Sequence, residues 1–179
     1  PVGWAPFQAW YLGSECDGGF AQYLKVTAVH AHRIQSELSD AELGSFPCAY
    51  STAENMLTRT GVAANETVLV TGASGGVGSA AVQLARRRGA RVIAVAGAAK
   101  HDALRELGAA AIVTRGADLV AALGAASVDV VVYVSAGPQL PQLIEVMNPG
   151  GRYAVSGAIA GPMVELDIRR LYLKDLTLF

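Results

Sequence analysis

The chain has 179 residues, 52% of them hydrophobic and 16% charged, with 14 Lys+Arg against 15 Asp+Glu and a formal net charge of −1. That apolar content excludes a disordered chain, and the near-zero charge gives no electrostatic reason for a nucleic-acid or acidic-membrane partner. Two cysteines, Cys16 and Cys48, are too few for a disulfide framework, so a reducing, cytoplasmic setting is the expectation.

A mean hydropathy of +0.34 raises the membrane question. The longest uncharged stretch, residues 67–85, holds Gly72, Gly75, Gly76 and Gly78 with Thr71, Ser74 and Gln83, which is poor material for a spanning helix. No membrane partner is expected. Pro1 in place of Met and the apolar ending Leu176-Thr177-Leu178-Phe179 read as the cut ends of a longer protein.

Along the chain, residues 1–35 read as loop and short strands, with strand-like residues over 20–27 after Gly18-Gly19. Ser39 followed by Glu42 predicts a capping box, Pro47 an interruption, and residues 48–60 a helix stopped by Gly61. From Glu66 onward apolar runs alternate with helical stretches. The runs are 68–70, 91–96, 111–114, 128–134 and 152–156; the helices are 79–88, 100–107, 118–123 and 139–147. Strands without polar alternation are buried on both faces, and strict β-α alternation implies a parallel sheet with right-handed crossovers.

The junction Val70-Thr71-Gly72-Ala73-Ser74-Gly75-Gly76-Val77-Gly78-Ser79 carries the chemistry. Glycines there let the backbone turn tightly and approach a pyrophosphate, and the following helix offers free N–H groups to the anion. Glycine turns also occur for purely conformational reasons, but strand, turn, helix and second strand at βαβ spacing favour a dinucleotide. A NAD-selective site places Asp or Glu about 20 residues beyond the glycines. Between Glu66 and Asp102 there is no acidic residue; Ala96, Gly97, Ala98, Ala99 and Lys100 stand there instead. Lys100 either pairs with a 2′-phosphate or begins a solvated helix face, and the missing acid favours NADP(H) over NAD(H).

With those motifs in order, residues 18–179 resemble the medium-chain dehydrogenase/reductase superfamily, which holds zinc alcohol dehydrogenases, quinone oxidoreductases and enoyl reductases. The residues that carry it are Gly18-Gly19-Phe20-Ala21-Gln22-Tyr23, Pro47-Cys48-Ala49-Tyr50-Ser51-Thr52-Ala53, the glycine turn, Leu107-Gly108-Ala109, Asn148-Pro149-Gly150-Gly151-Arg152 and residues 176–179. The resemblance implies a Rossmann domain over residues 39–179, a doubly wound parallel six-stranded sheet with helices on both faces. Residues 1–38 would be a remnant of a GroES-like catalytic domain and its linker. It further implies hydride transfer between nicotinamide and an alcohol or carbonyl, a quinone or an enone. The small-molecule substrate pocket would lie mostly outside this chain, leaving it able to bind nucleotide without turnover. Family members generally associate through this domain, which implies a homodimer.

By the same resemblance Thr52 would sit beside the nicotinamide and is the one catalytic candidate. Gly72, Ser74, Gly75, Gly76, Val77, Gly78, Gly97 and Lys100 would bind the phosphate and ribose portions, and Ser135, Ala136, Gly137, Ser156 and Gly157 would line the rest of the groove. Tyr133 stands where the family often has Asp and reads as a packed side chain. Cys48-Ala49-Tyr50-Ser51-Thr52 matches a motif that supplies one catalytic zinc ligand, so Cys48 is either that ligand or a small core residue. The other ligands would lie outside the chain, and zinc could be held only by the full-length protein. Cys16, His30 and His32 carry no metal-ligand spacing, and His101 offers at most a contact on the adenosine side. Arg86-Arg87-Arg88 reads as a solvated helix end.

A short-chain dehydrogenase is rejected, because no Tyr is followed four residues later by Lys. Two alternatives stay open: a non-catalytic nucleotide-binding and oligomerisation module, and an enoyl reductase segment of a multienzyme.

Overall fold

The computed structural model describes residues 11–179, in two compact units divided between Leu38 and Ser39. The part of the loop-and-strand expectation that falls on residues 1–10 lies outside the described residues. In the first unit an isolated bridge joins Leu12 to Cys16. The Glu15 carboxylate accepts the Tyr11 amide at 2.8 Å and the Ser14 hydroxyl, and these bonds hold its pKa below the usual carboxylate value. The strand expected over 20–27 does not form; the next regular element is a 3-10 turn, Ala28–His30. Phe20 and Tyr23 are exposed, so the segment has strand-forming side chains but no ladder partner among the described residues. His30 and His32 therefore lie in the turn and the coil after it.

The second unit opens with α1 (Asp40–Gly44), set by the expected capping box: Ser39 Oγ accepts the Glu42 amide and Glu42 bonds back to the Ser39 amide. The helix α2 (Phe46–Arg59) carries Pro47 in its first turn. Proline starts this helix instead of interrupting it, because its missing N–H falls where no intrahelical bond is made. Gly61 closes the helix at φ +60°.

Six strands follow: β1 (Thr67–Thr71), β2 (Arg91–Ala96), β3 (Ala111–Thr114), β4 (Val128–Tyr133), β5 (Met147–Val155) and β6 (Thr177–Leu178). They alternate with α3 (Gly76–Arg87), α4 (His101–Glu106), α5 (Leu119–Leu123), α6 (Leu140–Val146) and α7 (Ile168–Leu173). All pairings are parallel and the strand order is β3-β2-β1-β4-β5-β6. The order reverses between β1 and β4, where a doubly wound sheet opens a crevice at the carboxyl ends of its strands.

Val68 and Val70 face one layer with Ala53, Met56 and Leu57 of α2 and Ala81 and Ala85 of α3. Leu69 faces the other with Ile93, Val131, Leu143, Ile144 and Tyr153. The all-apolar runs are thus strands covered on both faces. Small side chains on α3 let it lie close to the sheet, bringing its first turn near the end of β1.

The amino-terminal ends of the central strands are tied by one carboxylate. Asp129 accepts the Thr67 amide at 2.8 Å and the Asn148 side-chain amide at 2.7 Å, linking β1, β4 and β5 where their register shifts. Hydrogen bonds to a charged acceptor contribute about 1.5–3 kcal/mol each. Asp129→Ala is expected to lower stability by about 3 kcal/mol in urea denaturation, the lower end for two such bonds, without moving the carboxyl-end loops.

Candidate cofactor site

At the carboxyl ends of β1 and β4 lies a groove of about 910 Å³. Its floor is the turn between β1 and α3. Gly72 takes φ +58°, and a Cβ there would stand 2.5 Å from the Val134 side chain. The turn is stitched to β2 by the Ala73 amide donating to the Val95 carbonyl at 3.1 Å, and closed by the Gly75 amide on the Gly72 carbonyl at 3.0 Å. At Gly78 a Cβ would lie 2.2 Å from the Gly72 carbonyl oxygen and 2.7 Å from the Ala73 Cα. Only glycine lets the helix start this close to the turn.

The helix begins at Gly76, three residues before the sequence predicted, and its N-cap Gly75 supplies no side-chain cap. Among the described residues the amides of Gly76, Val77 and Gly78 have no acceptor. Uncapped amides at the positive end of a helix form an anion site. Thr71 Oγ1 is buried on the groove wall without a hydrogen-bond partner. A turn that excludes Cβ, three free amides and an orphaned hydroxyl fit the phosphate portion of a dinucleotide.

Of the residues expected from the sequence, Gly72, Ser74, Gly75, Gly76, Val77, Gly78, Ser135, Ala136 and Ser156 line this groove together. Thr52, Cys48, Gly97, Lys100, Gly137 and Gly157 are not among its lining residues. Thr52 is half-buried in α2, one turn beyond Ala49, whose Cβ would touch a side chain at Gly76 at 3.4 Å. Lys100 is exposed at the end of a second 3-10 turn, Ala98–Lys100. Gly137 and Gly157 serve close backbone packing instead: a Cβ at Gly137 would meet Ala160 at 2.8 Å, and one at Gly157 the Val134 carbonyl at 2.7 Å.

Several lining residues were not anticipated, chief among them Arg115, with Thr71, Val95, Tyr133, Gln139 and Gln142. Arg115 follows β3, and its amide donates to the Ala96 carbonyl at 2.8 Å. The backbone of an arginine that lines the groove is thus paired to the end of β2, where the acid is missing. Its side chain has no ion-pair or hydrogen-bond partner among the described residues. The strand order β3-β2-β1 was the signal that could have found it, since it sets the ends of β3 and β2 side by side.

Tyr133 is packed, as read from the sequence, being 1% exposed, and it is also one of the residues lining the groove. Its hydroxyl donates to the Gly137 carbonyl at 3.3 Å. Burial pushes its pKa up, offset in part by the Gln139 backbone amide. Tyr153, edge-on at 5.9 Å, is raised by burial and then by Tyr133.

Cys48 is an exposed free thiol, and among the described residues no three His, Cys, Asp or Glu side chains gather as a metal site. The described residues by themselves do not fit a zinc ion. No described helix is long and apolar enough to cross a membrane.

Fold and groove together define the dinucleotide-binding class of doubly wound α/β domains. Residues 76–179 match the zinc-binding dehydrogenase family, and the chain belongs to that family. It is 53% identical, with a TM-score of 0.89, to a protein from Sinorhizobium meliloti 1021 assigned as an alcohol dehydrogenase, covering 94% of this chain and 48% of that one. It is 27% identical, with a TM-score of 0.79, to the yhdH oxidoreductase from Salmonella enterica solved in complex with NADP, covering 93% of this chain and 53% of that one. It is also 36% identical to the spectinabilin polyketide synthase system protein NorB from Streptomyces orinoci, over 81% of this chain and 7% of that protein. The chain thus spans about half the length of the solved structures it matches and a small fraction of NorB. The fold is that of the superfamily's cofactor domain, and its relatives include oxidoreductases.

Proposed function

We propose that this chain is the cofactor domain of an NADP(H)-dependent oxidoreductase that transfers hydride between nicotinamide and an alcohol or carbonyl, a quinone or an enone. The observation that carries the preference for NADP(H) is Arg115 beside an acid-free end of β2. An acid there would accept from the ribose 2′-OH and repel a 2′-phosphate; Ala96 leaves space, and a guanidinium recognises phosphate with two donors. Solved relatives in complex with NADP and with NAD support a nicotinamide cofactor. When bound, the nicotinamide supplies the hydride chemistry. The chain's residues hold the phosphates on the α3 amides and border the remaining groove with Ser135, Ala136 and Ser156, and Thr52 is proposed beside the nicotinamide.

On this reading residues 1–38 belong to the catalytic domain of a longer, cytoplasmic, homodimeric enzyme. The chain alone binds nucleotide without turnover, because it spans about half of its solved relatives. A full-length protein could also draw Cys48 into a zinc site. The second reading, an enoyl reductase segment of a multienzyme, is favoured by the match to NorB and uses the same cofactor groove.

Calorimetric titration with NADPH and NADH tests the cofactor. NADPH is expected to bind at least tenfold tighter. Arg115→Ala is expected to weaken NADPH by roughly 10- to 100-fold, the value of one charge-assisted hydrogen bond, with NADH changed less than threefold. Lys100→Ala gives the weight of the exposed lysine on the same scale. Tighter NADH binding in the unaltered chain overturns the assignment.

A further inference from the structure

Two loops border the groove opposite the glycine turn, one after β4 and one after β5, and both are fastened to Tyr133. Its carbonyl accepts the Ser156 amide at 3.2 Å, holding the start of the second loop. Its hydroxyl donates to the Gly137 carbonyl in the first. Between them the Ser135 carbonyl accepts the Ala160 amide at 2.9 Å, joining loop to loop.

The first loop is strained. Ala136 has φ +49° and Gly137 φ +101°, and a non-glycine residue in the left-handed region persists only where its surroundings impose it. Ser135 and Ala136 are the residues this conformation sets on the groove wall. The Tyr133 ring is buried and packs edge-on against Tyr153 of the neighbouring strand, which restricts where its hydroxyl can go.

We propose that Tyr133 is a positioning residue for the dinucleotide: its buried hydroxyl holds the Ser135–Gly137 turn in the left-handed conformation that completes the groove. This rests on the cofactor reading above. A packed tyrosine with no such role would need its ring and not its oxygen. Here the oxygen is spent on the one turn in the groove that contains a strained non-glycine residue.

Tyr133→Phe removes that oxygen and keeps the ring. Amide exchange in the ligand-free chain is expected to quicken at least tenfold over residues 136–139, with α2 and α3 unchanged, and NADPH affinity to fall five- to tenfold. Tyr153→Phe removes the hydroxyl of a neighbouring buried residue, which makes no hydrogen bond to the turn, and is expected to leave both readouts within twofold. Exchange unchanged in Tyr133→Phe, affinity held within twofold, or an equal loss in Tyr153→Phe overturns the proposal. If the unaltered chain binds neither NADPH nor NADH, the cofactor reading fails and the proposed role in binding fails with it. The exchange comparison still decides whether the hydroxyl holds the turn.

Discussion

Gly78→Ala is expected to abolish dinucleotide binding and to lower stability by about 3 kcal/mol, at the upper end of what overpacking costs. The added Cβ would lie 2.2 Å from the Gly72 carbonyl oxygen and 2.7 Å from the Ala73 Cα, and both are backbone atoms that no rotamer change can move. Relief requires either α3 to back away from β1 or the turn to open, and each displaces the free amides of Gly76 and Val77. Gly76→Ala is the control. Its Cβ meets only the Ala49 Cβ, at 3.4 Å, and alanine favours a helix start over glycine by up to about 1 kcal/mol. Thermal denaturation and NADPH titration of the two variants should diverge sharply: one unstable and without binding, the other as stable as the parent. Equal behaviour would show that the turn tolerates expansion and that its shape is not what the glycines serve.

Lys174→Met is expected to cost about 2–3 kcal/mol, far more than an ordinary lysine replacement. Its ammonium donates to the carbonyls of Ile144 at 2.9 Å, Glu145 at 2.7 Å and Met147 at 3.1 Å. Those carbonyls end α6 and begin β5, and a cation there also meets the negative end of the helix. The helix has no glycine cap; its chain passes directly into the strand at Met147. Lys174 replaces that cap with three charge-assisted bonds from a residue 30 positions away in sequence. Methionine retains the aliphatic stem and removes only the charge and its donors, so the loss measured in urea denaturation reports the cap. Lys174→Arg, whose planar head cannot converge on three carbonyls in the same way, is expected to recover less than half.

The sheet and the glycine turn were legible because their signals are local. Uninterrupted runs such as Val68-Leu69-Val70 and Val130-Val131-Val132 can only be strands covered on both sides, and glycines after the first run announce the turn. Pro47 was misread because proline stops a helix only from its interior. The strand expected over 20–27 failed because propensity supplies no partner. Arg115 was missed for a third reason. It is one of fourteen cationic residues, and nothing within its own segment distinguishes it; its place in the groove comes from a pairing of β3 with β2. Lys100 had the expected spacing from the glycines, but a short 3-10 turn carries it to an exposed position outside the groove lining. Tyr133 was read correctly as packed, and its second role became visible only when both loops were seen to end on it.

The central position of β1 has a consequence for the chain as it is synthesised. The Asp129 carboxylate that receives the Thr67 amide lies 62 residues later, so β1, β2 and α3 leave the ribosome well before β4 can pair with them. During that interval one side of β1 is an open apolar edge, the kind of surface that recruits other chains. Pairing of β4 with β1 closes that edge, and it is a long-range parallel contact, the kind that slows folding.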